Sequence, residues 1–358
     1  MEYAKDLLDI YEKQIQMKLN AIDSTLERKG FAIAPGIVQY EFDSFEDLYS
    51  HVNPFVKPLC LQEYIFRGHS HMDYMLLPTV KRNRTSAAGG SFRREFDLLA
   101  KFADKLSRRN LFLPYGGQYF LRPAEFLGML TTWIPLEALD FVAYARHAGL
   151  ETRMLDWTYD IWTALYFAAS GILDEVRKKI KMGNSPKDIE LNPDDHMVLW
   201  LFNIRQWKEL TDPMASIHPY GTFYSTLHFT IPYYHDNANA HAQRGLLSYF
   251  SVKKTNIMRK TPVEVIDDWE RATATSNDNC TVDEYIAKGY EFFLKKTASP
   301  YIPIMFKFTL PVTAALETVA SLILLGYGNS SIYPNAENCV KDLQFKDDHV
   351  VLKDIFRK

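Results

Sequence analysis

Cysteine is scarce: Cys60, Cys280 and Cys339 are the only three in 358 residues, they lie far apart, and none forms a Cys-x-x-Cys pair. That excludes a disulfide scaffold or a cysteine zinc site and predicts free thiols in a reducing compartment. No single sign of charge dominates, since 41 Lys and Arg face 44 Asp and Glu for a net charge of −3. Indiscriminate nucleic-acid binding, which needs a basic excess, is therefore excluded. Long hydrophobic runs are missing too. The longest apolar helical stretches, around residues 161–173 and 312–326, fall short of the roughly 20 residues that cross a bilayer. The opening MEYAKDLLDIYEK is amphipathic and acid-containing, without the basic start and apolar core of a secretion signal. The expectation is a soluble cytoplasmic protein with no membrane partner.

Several chemistries are also excluded by missing motifs. There is no Walker loop, no GxGxxG fingerprint and no GxSxG elbow, which removes P-loop, Rossmann dinucleotide and seryl hydrolase readings. His69 with His71, and His235 with His241, lack the carboxylate or cysteine neighbours that zinc needs, so no metal is expected.

What is present is a chain with 47% hydrophobic and 14% aromatic residues, enough for a sizeable core. Helical spacing covers residues 3–29, a strand is expected at 36–42, and a capped short helix follows to Val52. EYIFRG, residues 63–68, reads as a short strand ending in arginine and glycine. KRNRTSAAGGSFRR, residues 81–94, reads as a basic loop leading into a helix. Beyond it come a helix over 136–147 and another over 165–180. The continuous apolar run HMVLWLFNI, residues 196–204, predicts a strand covered on both faces. Further strands are expected at 223–233, 245–252 and 301–310, with a helical region over 262–296 and an apolar helix from Pro311 to Gly326. The sum is an α+β fold with a central, mostly antiparallel sheet and flanking helices.

The densest polar segment is YARHAGLETRMLDWTYDIWTALYFAAS, residues 144–170. Gly149 is placed to end one helix and Asp160 to cap the next, so the residues between them face a cleft or carry a desolvation cost. Arg67 can present paired donors to a phosphate or ribose, or form an ordinary salt bridge. Arg153 can bind a ligand or pair with Asp156. Trp157 can stack on a base or sit in the core, and Thr158 can bond a ribose hydroxyl or begin the helix. His147 can orient Asp156 or interact with the helix end. Gln243 can bond a ribose hydroxyl or satisfy a turn. Gly68 is the type of residue that admits close backbone approach.

Together these segments resemble the FRG-domain family, named for a Phe-Arg-Gly motif, here Phe66, Arg67 and Gly68. FRGHSHMDYMLLPTVKR is similar to its first block, RHAGLETRMLDWTYDIWTALYFA to its second and AHAQRGLLSYF to its third. The run from KFTLPVTAAL to the Ile-Tyr-Pro turn and NCVKDL is similar to its close. The likeness runs from about Tyr64 to Leu343 and implies an N-terminal helical extension, residues 1–35, before one domain, residues 36–358. FRG domains in turn look like distant relatives of ADP-ribosyltransferases, which implies a split sheet and NAD as substrate. By that resemblance Arg67, Thr158 and Gln243 are candidate catalytic residues; Asp156, which lies in the same proposed cleft, is the acid that could substitute, with His147 beside it, and Arg67, Gly68, His69, Arg153 and Trp157 are candidate NAD contacts. Gly245 stands where the superfamily commonly has a catalytic Glu. The implied role is ADP-ribose transfer or cleavage on an unidentified protein or nucleic-acid acceptor, as a toxin or anti-phage effector. The alternative is a non-catalytic nucleotide or nucleic-acid sensor that signals to a protein partner, and the N-terminal helix could support oligomers.

Overall fold

A computed structural model describes residues 22–24, 26–52, 64–82, 91–211, 226–232, 238–253, 280–296 and 303–356. Residues 3–21 and 25 of the helix expected over 3–29, residues 83–90 of the basic loop at 81–94 and residues 262–279 of the helical region at 262–296 lie outside the described residues.

Among the described residues eight strands form one sheet: β1 (Phe31–Ala34), β2 (Ile37–Glu41), β3 (Tyr64–His69), β5 (Leu155–Thr158), β6 (His196–Asn203), β7 (Leu227–Thr230), β8 (Gly245–Phe250) and β10 (Met305–Pro311). Their order is β1-β2-β10-β6-β3-β5-β8-β7, and β4 (Thr132–Trp133) with β9 (Val252–Lys253) makes a separate two-stranded ribbon. Among the described strands only the β2–β10 pair is parallel, and the other pairs are antiparallel. The fold is therefore α+β with a mostly antiparallel sheet. Residues 31–34, within the stretch assigned to an N-terminal extension, form one of the sheet's two edge strands, opposite β7.

The helices of eight or more residues are α1 (Phe45–Val52), α2 (Ser91–Arg108), α3 (Leu139–His147), α4 (Ile161–Lys181), α5 (Ile204–Thr211), α6 (Val282–Lys296), α7 (Ala315–Leu324) and α8 (Ala336–Phe356). Among the described residues, none is long and apolar enough to cross a membrane. The run at β6 is covered on both sides, as its unbroken hydrophobicity implies. Met197, Leu199 and Leu201 pack with α4, α7 and α8, while Val198, Trp200 and Phe202 pack with α5 and α6. A third core joins α2, α3 and their connecting turns to Leu247 and Tyr249 of β8.

Two local devices aim this scaffold at one place. Gly149 takes φ +90° and ends α3, with Leu150 N donating to Ala145 O at 2.9 Å, the wrap-around closure that a left-handed residue permits. Asp160 caps α4, accepting from Trp162 N at 2.9 Å and Thr163 N at 3.2 Å. Between them lies β5. Whereas β3 pairs with β6 from Tyr64 through His69, it meets β5 at a single bridge, Phe66 with Thr158. The sheet stays continuous across this thinned seam, so the split sheet that the resemblance implied is not seen.

Candidate functional site

A cavity of about 370 Å³ opens at the β3–β5 seam. Phe66, Arg67 and Gly68 come to it from β3, Arg146, His147 and Gly149 from the end of α3, and Asp156 to Thr158 from β5. Ala164 and Phe167 of α4, with Asn239, Gln243 and Tyr333, complete the wall. Its volume lies within the range of small-ligand sites.

Arg67 fills the gap where the ladder stops. Its Nη1 donates to the Asp156 carbonyl oxygen at 2.6 Å, replacing the missing strand-to-strand bond, and lies 3.8 Å from Asp156 Oδ2. Burial pulls its pKa down to about 10, with the charge of Asp156 working the other way and Arg82 and Arg146 adding to the fall. The ion pair between Arg153 and Asp156, one of the two readings left open for Arg153, is not formed. Arg146, in the last turn of α3, holds Asp156 instead: Nε and Nη2 both reach Oδ2, at 3.0 and 2.6 Å, while Nη1 donates to Thr79 Oγ1 at 3.1 Å. Burial opposes the Asp156 charge, but Arg146 first and Arg67 next outweigh it and hold the carboxyl below the usual range. These contacts all fall on Oδ2, and the Asp156 side chain stays 36% exposed. Arg67, Arg82 and Arg146 against one carboxylate make the electrostatics here cationic.

Arg153 is fully buried away from the cavity. Its Nε donates to Glu95 Oε2 at 2.6 Å and its backbone N to Glu95 Oε1 at 2.6 Å; Trp133 Nε1 donates to the same carboxylate at 2.9 Å. It is a core ion pair with no exposed side-chain surface. Trp157 borders the cavity, but its ring is buried against Phe202, and Nε1 donates to Ser248 Oγ at 2.8 Å. Alternation along a strand explains this: if Asp156 and Thr158 face the cleft, Trp157 must face away. The stacking expected of it is not available. Besides Phe66, the cavity is lined by the aromatic rings of Phe167 and Tyr333, in edge contact at a ring separation of 6.1 Å.

Thr158 is buried, its hydroxyl donating to Gln243 O at 2.6 Å and accepting from Asp160 N at 2.9 Å. Gln243 lines the cavity, with Nε2 donating to Ile332 O at 3.3 Å. His147 lines it too, and its Nε2 is buried without a hydrogen-bond partner. Burial lowers its pKa; Asp156 opposes and Arg146 adds to that shift, so the neutral imidazole is favoured. Gly68 serves helix packing: a Cβ there would lie 1.9 Å from Ala164 O of α4. His69 is buried behind Arg67 and does not line the cavity. Gly245 stands beside Thr158 in the β5–β8 ladder and brings no side chain. Among the described residues no group of three His, Cys, Asp or Glu is arranged to hold a metal ion.

Sequence reasoning assigned no role to Arg146, Asn239, Phe167 or Tyr333. The one available signal was for Arg146, a cation in the last turn of a helix that stops beside the proposed cleft. No curated protein and no solved structure matches this chain. The model of the FRG domain matches residues 62–176, which include every cavity-lining residue except Asn239, Gln243 and Tyr333. The chain carries an FRG domain over residues 62–176.

Proposed function

We propose that the cavity binds NAD or a related nucleotide and that the protein cleaves or transfers ADP-ribose there, onto water or onto a protein or nucleic-acid acceptor. The observation that carries this reading is the convergence of Arg67, Arg146, His147, Asp156, Thr158 and Gln243 on one open cavity. Guanidinium groups suit the diphosphate, since their donors match phosphate oxygens in pairs. Phe167 and Tyr333 offer the aromatic contact that Trp157 cannot. As the bond from ribose C1′ to nicotinamide breaks, its electron pair leaves with nicotinamide and positive charge grows on the ribose. Asp156 is the carboxylate placed to stabilise that charge. His147, kept neutral by burial, can accept the proton of the attacking hydroxyl through Nε2. The resemblance of FRG domains to ADP-ribosyltransferases supports the same chemistry, and a toxin or anti-phage role belongs to that resemblance.

A specific observation favours a second reading, a sensor that binds a nucleotide without turnover. Asp156 is already compensated by Arg146 and faced by Arg67, and position 245 carries no acid. Labelled NAD separates the two. Nicotinamide release that falls on the order of a hundredfold in Asp156→Asn supports the enzyme. Binding without release supports the sensor, and in either case Arg67→Ala should weaken binding roughly tenfold to a hundredfold. No binding by the wild type ends both.

A further inference from the structure

Arg67 and His69 are two apart on β3 and therefore share a face of the strand. Arg67 Nε donates to His69 Nε2 at 3.0 Å, and His69 Nδ1 lies 3.0 Å from Tyr74 O. A carbonyl oxygen only accepts, so Nδ1 carries the proton and Nε2 is left as the acceptor that Nε–H requires. The two contacts specify one tautomer of a neutral ring. The charges that face it are Arg67, Arg82 and Lys307, all cationic, and with burial first they push its pKa down to about 2. An imidazolium here would have no lone pair for Arg67 and would add a fourth positive charge.

The guanidinium is then held at two points. Nε is tied to His69, Nη1 to the Asp156 carbonyl, and Nη2 is the arm of the fork with no protein partner among the described residues.

We propose that His69 is a positioning residue: locked as the Nδ1–H tautomer by the Tyr74 carbonyl, it accepts the Arg67 Nε–H and fixes the guanidinium across the β3–β5 gap with Nη2 offered to the cavity. What Nη2 takes up rests on the nucleotide reading; the holding geometry does not. Freed from His69, Arg67 could swing about its side-chain torsions, and part of any ligand's binding energy would go into re-ordering it.

The test uses the full chain, ¹⁵N-labelled. Long-range proton–nitrogen spectra should show one histidine fixed as the Nδ1–H tautomer and not titrating between about pH 5 and pH 8, assigned by its loss in His69→Gln. One slowly exchanging arginine Nε–H, assigned by its loss in Arg67→Lys, should exchange fast in His69→Ala. It should stay slow in His69→Gln, whose amide oxygen can stand where Nε2 stood. With NAD as probe, His69→Ala should bind about tenfold more weakly, with most of that loss restored in His69→Gln. A His69 that titrates in this window, or an Arg67 Nε–H unchanged in His69→Ala, overturns the proposal. Failure of NAD to bind the wild type overturns the nucleotide reading alone, because the spectra judge His69 without a ligand.

Discussion

Two arginines a few residues apart have opposite fates, and the difference is where their carboxylate lies. Arg146 meets Asp156 at a wall of the cavity, where one face of the pair remains open to a ligand. Arg153 meets Glu95 with both side chains at 0% exposure, so two charges survive in the core only because each satisfies the other and Trp133 adds a donor. Glu95→Ala should therefore leave a buried guanidinium uncompensated and lower stability by about 3–5 kcal/mol, read by urea denaturation. A loss under about 1 kcal/mol would mean that water reaches Arg153. The pairing was not legible locally, because Glu95 lies 58 positions from Arg153.

At the scale of elements, the site depends on how closely α4 lies on β3. Gly68 is the point of approach, with Ala164 O occupying the space of any Cβ. Backbone cannot move aside as a flexible side chain can, so Gly68→Ala must push α4 from the strand and shift the seam that Arg67 bridges. Overpacking of this kind costs about 1–3 kcal/mol, occasionally more. The expected result is a lower melting temperature together with weaker ligand binding, and unchanged binding would show that the strand–helix spacing does not set the cavity. The ends of these elements were readable. Gly149 stops α3 and Asp160 starts α4, because caps are satisfied within a few residues. The apolar helix expected from Pro311 begins as a 3₁₀ turn, Val312–Ala314, and Pro311 itself closes β10.

At the scale of the molecule, one surface cluster ties the loop after β3 to two distant elements. His71 Nδ1 lies 2.5 Å from Asp195 Oδ2, just before β6, and Nε2 lies 2.8 Å from Glu175 Oε2 on α4. Only the imidazolium can donate to both. Burial works against its charge, but the bonds to Asp195 and Glu175 outweigh that and raise the His71 pKa. A raised folded pKa means stabilisation that is full below the unfolded value near 6.5 and is lost as pH rises through the folded value. The urea stability of the wild type should accordingly fall more than that of His71→Gln between about pH 6 and pH 8.5. Equal falls in the two proteins would exclude His71 as the source. Tyr74, whose carbonyl holds His69, sits in the same loop and donates its hydroxyl to Glu175 Oε1 at 3.4 Å.

The strands near residues 36–42, 63–68, 196–204 and 245–252, the doubly covered β6 and the stretch that supplies most of the cavity wall were determined by the sequence alone, because hydrophobic period and end-capping act over short distances, whereas β1, α5 and α8 were not read from it. Partner choice was decided only by tertiary structure. Whether an arginine faces a ligand or a buried glutamate, whether a glycine admits a nucleotide or a helix, and which aromatic rings reach the cavity depend on groups brought together from far along the chain. Tyr333 shows the reason most directly: it reaches the cavity because Asp342 accepts from Asn329 N and Ser330 N and holds the turn that carries it, a constraint set only when α8 packs against that turn.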